Sequence, residues 1–157
     1  MVVGDFGSGH GFFAIGSAKI VGDKGTVYAV DVQEEVLRHL MAEARVNSLR
    51  NITTYHCDLE KENACPVPPV SCDAVILANI LHQVKERKAV VAASYRALKT
   101  GGFVLVVEWE PSVSILGPSA EARISEEEIA ELFINSGFRP GRQIPTDPYH
   151  YAVTYSK

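Results

Sequence analysis

The chain has 157 residues, 46% of them hydrophobic and 22% charged, enough for one globular domain with a core of useful size. Its net charge of −4 argues against nucleic acid as the main partner, because phosphate binding draws on a basic face; Lys85, Arg87 and Lys88 form the only local basic cluster. The three cysteines, Cys57, Cys65 and Cys72, are an odd number without a C-x-x-C, so neither a disulfide framework nor a zinc site is expected, and no other metal site is.

Met1–Phe6 is a short β-prone run that ends in a glycine-rich turn. Phe12–Val21 is apolar enough for a buried helix, with Phe12 and Phe13 read as core residues. Thr26–Val30 is a second strand, introduced by the turn Gly22-Asp23-Lys24-Gly25. From Gln33 to Asn47, Val36, Leu37, Leu40, Met41 and Ala44 keep helical spacing. Asn51–Cys57 reads as a third strand, which makes Cys57 a small core residue. Asp58–Cys72 is a proline-rich loop or a single helical turn.

Asp73–Ala78 is a fourth strand without alternation, as suits burial on both faces. A helix follows from about Lys85 to Lys99, stopped by Gly101-Gly102. Phe103–Val107 is a fifth buried strand, and Pro111–Arg123 a loop. Ser125–Ser136 is a helix whose Ser125 and Glu128 have capping-box spacing. Phe138–Ile144 and Tyr149–Tyr155 close the chain as two strands. Alternating strands and helices demand a parallel sheet covered on both faces. The short last turn makes the final two strands antiparallel, since a parallel return needs a crossover of about a dozen residues. The expected fold is therefore α/β, a three-layer sandwich in one domain spanning residues 1–157.

The sharpest local signal is Asp5-Phe6-Gly7-Ser8-Gly9-His10-Gly11, directly after the first strand. Glycines there let the chain turn tightly and approach a ligand without a Cβ clash. A dinucleotide-binding loop needs G-x-G-x-x-G, whose third glycine would fall on Phe12. The actual pattern, G-x-G-x-G behind an acidic residue, resembles the first motif of class I S-adenosylmethionine methyltransferases. The resemblance extends along nearly the whole chain. Asp31 closes the second strand, Asp58 follows the third, Asn79 follows the fourth, and Gly101-Gly102 precede the fifth. The resemblance implies a Rossmann-like, seven-stranded, mostly parallel sheet of order 3-2-1-4-5-7-6 with strand 7 antiparallel. It also implies S-adenosylmethionine as cofactor, with S-adenosylhomocysteine as product.

The same resemblance assigns roles. Gly7, Ser8, Gly9 and Gly11 match the loop beside the methionine part and the ribose. Asp5 matches the acid that supports this loop and faces the cofactor's amino group, and could equally cap loop N–H groups. Asp31 matches the acid that accepts from both ribose hydroxyls, for which paired carboxylate oxygens suit a vicinal diol; with Glu34 it also has capping-box spacing. Val32 would pack on adenine. Asp58 would face the adenine amino group with Leu59 beside the ring, or serve only as a turn residue. Asn79 would approach the methionine amino group and the methyl-transfer space, or simply end a strand. His10 would line the cofactor pocket.

His82 and Glu108 are the catalytic candidates, His82 as a general base or substrate contact. Each has a plainer alternative, as a surface histidine and a strand-end acid. Glu108-Trp109-Glu110 ends the fifth strand, where ligands gather in open α/β sheets, and Tyr149 and His150 could reach the same rim. The implied reaction is an in-line displacement at the sulfonium methyl, in which the protein mainly positions the nucleophile and excludes water. The acidic balance and the Asn79–His82 segment favour a small-molecule acceptor. RNA or protein methylation and a non-catalytic cofactor-binding module are the alternatives.

The family's usual helix before the first strand has almost no room here. A natively minimal form, a truncation and a homodimer completing the pocket are the three explanations, with the Pro111–Arg123 loop as an internal candidate lid. Neither a leader pattern nor an apolar run of about 18 residues is visible, so no membrane association and a cytoplasmic location are expected.

Overall fold

The computed structural model describes residues 1–113 and 116–157. Seven strands form one sheet: β1 (Val2–Phe6), β2 (Thr26–Asp31), β3 (Ile52–His56), β4 (Cys72–Ala78), β5 (Leu98–Trp109), β6 (Arg139–Gln143) and β7 (His150–Ser156). Their order is β3-β2-β1-β4-β5-β7-β6, parallel throughout except that β7 runs antiparallel to β5 and to β6. This is the expected order and direction.

Four α-helices cover the sheet, two on each face. On one side α1 (Phe12–Val21) and α2 (Glu34–Val46) bury Ala14, Ala18, Leu40 and Ala44 against Val3, Val27, Ala29, Ile52 and Ile76. On the other, α3 (Arg87–Ala97) and α4 (Glu126–Asn135) bury Val90, Val91, Ile129 and Phe133 against Val30, Val75, Leu77, Val104 and Val106. Alternate residues of β2 and β4 thus enter different cores, which is why these strands carry no polar face. At the start of α4, Ser125 and Glu128 form the capping box that their spacing predicts, each side chain bonding the other's backbone N–H.

Four expectations need correction. The helix drawn to Lys99 ends at Ala97, because the carbonyls of Arg96 and Ala97 accept from Val70 and Ser71 at the entrance to β4. Leu98 is then free to join β5, where it pairs with Cys72 and is fully buried. Phe12 is not core: it is 85% exposed at the first position of α1, edge-on to Phe13. The cysteines are not all free thiols, since Cys57 and Cys65 are disulfide-bonded across a Cα–Cα distance of 5.2 Å, and only the buried Cys72 remains free among the described residues. Nor does Cys57 lie in a strand, because β3 stops at His56.

The Pro111–Arg123 segment, of which Ser114 and Ile115 lie outside the described residues, contains a short 3₁₀ turn at Ala120–Ala122. It is wrapped around one buried side chain. The Arg123 guanidinium donates to the carbonyls of Glu110, Val113, Leu116 and Pro118 and lies over the Trp109 ring. Gly117, with φ of 83°, crosses the same indole so closely that an added Cβ would come within 2.6 Å of it. The loop is a folded cover on Trp109. Among the described residues no helix is long and apolar enough to cross a membrane.

Candidate active site

The chain order reverses between β1 and β4, and open α/β sheets gather ligands at the carboxyl ends of strands beside such a switch. A cleft of about 460 Å³ lies there. Its walls come from the glycine loop (Gly7, Ser8, Gly9), the end of β2 (Asp31, Val32), the segment after β3 (Asp58, Leu59) and Asn79 after β4. Eight residues singled out from the sequence thus share one cavity.

The remaining five candidates do not line it. Asp5 is buried at the end of β1. His10 is exposed and meets His39 edge-on, with ring centroids 5.2 Å apart. Gly11 caps α1 at φ 93°, where a Cβ would collide with Leu40 at 2.6 Å, so its requirement comes from packing between α1 and α2. His82 and Glu108 form a separate buried pair. Phe12, Phe13 and Cys57, which the sequence reading placed in the core, do line the cleft.

Four backbone N–H groups of the glycine loop are hydrogen-bonded within the protein. Gly7 N–H and Ser8 N–H both donate to the Val30 carbonyl, at 2.8 and 2.9 Å, and Gly11 N–H donates to Ser8 O. Gly9 N–H donates to Asp31 Oδ2 at 2.9 Å, while Asp31 Oδ1 accepts from Gln33 N–H. A diphosphate cradle requires such N–H groups to be free. Here those four are committed, and Asp31, Asp58 and Glu60 face the same cavity. That electrostatic environment favours a cation over an anion.

Gly9 has φ of 50° and open space where a Cβ would stand, so the backbone there is bare toward the cleft. Asn79 also adopts the left-handed conformation, with φ of 54°. Its N–H donates to Val107 O and its carbonyl accepts from the Gln83 amide, which fixes the sharp turn off β4. Ser8 Oγ, Asn79 Oδ1 and Asp5 Oδ2 are buried without a hydrogen-bond partner among the described residues. Two of these residues, Ser8 and Asn79, line the cleft. Unsatisfied buried polar atoms are costly, and a polar ligand would satisfy them. These residues fit the aminoacyl end of a sulfonium nucleoside. Asp31 and the exposed Val32 line the same cleft.

Burial pushes the Asp5 carboxyl up to about 7; the Ala14 backbone N–H opposes this and the nearby Asp31 charge adds to it. The folded state therefore holds a proton that the unfolded chain releases near its ordinary value of 3.8. Stability from this group is fully present below 3.8 and is lost as pH rises through 7. Asp5→Asn, neutral at every pH, is expected to remove that decline. Urea unfolding of both proteins at pH 5 and pH 8 reads it, and parallel pH profiles would contradict it.

Beside the cleft, Glu108 is fully buried. Its Oε1 accepts from Leu81 N–H and His82 N–H at 2.8 and 3.2 Å, and its Oε2 lies 2.7 Å from His82 Nδ1. The pair clamps the turn that carries Asn79 and Ile80. Across β5, His150 packs on Trp109 with ring centroids 4.2 Å apart, and its Nε2 is 3.5 Å from Asn79 Nδ2. Sequence reasoning missed Arg123 as the hub of the neighbouring loop, because a lone arginine among loop residues has no distinguishing pattern.

A seven-stranded sheet of this order, with its cleft at the β1/β4 switch behind a G-x-G-x-G loop, is the Rossmann-like methyltransferase fold. A family model described as a methyltransferase domain matches residues 3–102, and the chain belongs to that family. It is 27% identical over 118 residues to the ubiquinone/menaquinone biosynthesis C-methyltransferase UbiE of Escherichia fergusonii, which covers 75% of this chain and 45% of that protein. The chain thus spans about half the length of the curated relatives it matches. Among solved structures, a SAM-dependent methyltransferase from Aquifex aeolicus superimposes with a TM-score of 0.90 at 28% identity, covering 99% of this chain and 81% of that one. An S-adenosylmethionine-dependent methyltransferase from Mesorhizobium loti shares the fold, with a TM-score of 0.78 at 19% identity over 99% of this chain and 90% of that one.

Proposed function

We propose that the chain binds S-adenosylmethionine in the β1/β4 cleft and transfers its methyl group to a small-molecule acceptor. The observation that carries this reading is the glycine loop, whose Gly7, Ser8 and Gly9 amides are spent on Val30 and Asp31 while carboxylates face the cavity. Such a site suits a sulfonium nucleoside and repels a diphosphate. When bound, the cofactor would supply an activated methyl group. Asp31 would accept from the ribose hydroxyls, and Val32 and Leu59 would pack along the base with Asp58 at its amino group. Ser8, Gly9 and Asn79 would hold the aminoacyl end, and Asp5 would act from beneath the loop. The small-molecule assignment is supported by the net charge of −4 and by the quinone-biosynthesis relatives.

Glu108 and His82 act in this reading as positioning residues for the Asn79 turn. A second copy completing the mouth of the cleft belongs to the same proposal, supported by the bare Phe12 side chain at its edge. So does a cytoplasmic location. Calorimetric titration with S-adenosylhomocysteine and, separately, with NAD tests the reading. Binding of the first and not the second is expected. Binding of NAD alone would overturn it, and tight nucleoside binding without product across a broad acceptor panel would reduce the chain to a binding module.

A further inference from the structure

The Cys57–Cys65 bond lies at the cleft rather than in the middle of the sheet. It closes the short segment that forms one wall of the cleft: Cys57, Asp58, Leu59 and Glu60 all line the cavity, and Leu59 is buried. One end of this segment hangs from the sheet, where Cys57 N–H donates to Asp31 O at 3.1 Å. The other end is tied to α3, because the Arg96 guanidinium donates to the carbonyls of Cys65 and Val67 at 2.9 and 3.0 Å. Between these anchors Glu60 Oε1 accepts from Lys85 and Glu86 N–H at 2.7 and 2.8 Å. The disulfide is the covalent link that joins the sheet-borne end to the helix-borne end directly behind Asp58 and Leu59.

The two cysteines differ in exposure. Cys65 is 5% exposed and faces α3, whereas Cys57 is half-buried and borders the cleft. Cys57 shares the cleft wall with Asp58 and Leu59, so a thiolate in the cleft would meet Cys57 first and a ligand lying along Asp58 and Leu59 would cover it. Disulfides in reducing compartments are characteristically transient or redox-sensing, and exposed ones are the labile ones.

We propose that Cys57–Cys65 is a thiol–disulfide site coupled to nucleoside binding: the oxidised chain binds the nucleoside more tightly, and bound nucleoside protects the bond. This rests on the reading of the cleft given above. The reductant is a dithiol. One of its thiolates attacks Cys57 Sγ, the S–S bond breaks, and Cys65 leaves as a thiolate that takes up a proton. The second thiolate of the reductant then displaces Cys57 from the mixed disulfide, and Cys57 takes up the second proton. The protein gains two electrons and two protons, and the reductant becomes a disulfide. By linkage, the factor by which oxidation raises affinity is the factor by which ligand stabilises the oxidised form.

The test uses the full chain, oxidised with glutathione disulfide or reduced with dithiothreitol, with thiols counted after denaturation. One free thiol is expected in the oxidised protein and three in the reduced one. Calorimetry with S-adenosylhomocysteine is expected to show at least about a fivefold weaker Kd after reduction, the low end of measured coupling energies. Cys65→Ala, which lies outside the cleft wall, should show the weaker Kd with or without reductant. The dithiothreitol concentration for half-reduction should rise when S-adenosylhomocysteine is present. Equal Kd values for proteins with one and three counted thiols would overturn the proposal, as would three thiols after oxidation. Failure of the nucleoside to bind in either state would overturn the cleft reading itself, and is distinguished by the thiol count, which would still report the bond.

Discussion

Glu108→Ala is expected to lower the free energy of unfolding by about 3–5 kcal/mol, the usual cost of breaking a buried hydrogen-bonded pair by removing one partner. The carboxylate is wholly inaccessible and is the acceptor for three backbone N–H groups, those of Leu81, His82 and Trp109, and one imidazole nitrogen. Truncation leaves all of these donors without a partner in a region that water does not reach, and each such group costs about 1–3 kcal/mol. For a domain of this size the melting temperature should fall by roughly 10 °C. Glu108→Gln retains an acceptor oxygen and should lose less. Urea titration followed by circular dichroism reads both variants. A change under about 1 kcal/mol for the alanine variant, an ordinary loss for one hydrogen bond, would show that the cluster is not a structural hub. Because the turn it holds presents Asn79 and Ile80 to the cleft, nucleoside affinity should fall with stability.

Asp31→Ala is expected to weaken nucleoside binding by about 100-fold. Two charge-assisted hydrogen bonds to a diol, at about 1.5–3 kcal/mol each, amount to at least roughly 3 kcal/mol, and each 1.4 kcal/mol is tenfold in Kd. Asp31 also holds the Gly9 and Gln33 amides, so its loss loosens the loop that borders the same ligand. Asp31→Asn keeps the shape and one acceptor oxygen, and should fall between the two. Calorimetry with S-adenosylhomocysteine measures the series. An unchanged Kd in a normally folded variant would remove Asp31 from the site.

The sheet was legible because its strands carry their environment in their composition. DAVILA is apolar without alternation and is buried from two sides, whereas FVLVV, expected to be buried likewise, buries only Val104 and Val106 fully and leaves Phe103 37% exposed, because its other face is less completely covered. The turn near Pro145–Pro148 is too short for a crossover, so the last pair had to be antiparallel. The cleft was legible to the extent that strand ends converge in space: residues taken from the ends of the first four strands share one cavity.

What stayed hidden depends on contacts between distant segments. No property of positions 57 and 65 alone says that the chain folds back between them, and their spacing matches no signature. Helical spacing runs on through Leu98, and only the amides of Val70 and Ser71 end the helix earlier. α1 is apolar all round, so its pattern could not show which face turns outward, and Phe12 was assigned to the core for that reason. His10 sits between Gly9 and Gly11 in sequence, but Gly11 is left-handed immediately after it and packs against α2, and the His10 ring turns toward His39 on α2.

Where a sulfur nucleoside lies decides the function of the cleft, and a crystal structure grown with S-adenosylhomocysteine measures this directly. The predicted result is density in the β1/β4 cleft, with both sugar hydroxyls about 3 Å from the Asp31 carboxylate and the aminoacyl end against Gly9 and Asn79. Density for the nucleoside outside this cleft, or with its sugar turned away from Asp31, would contradict the account.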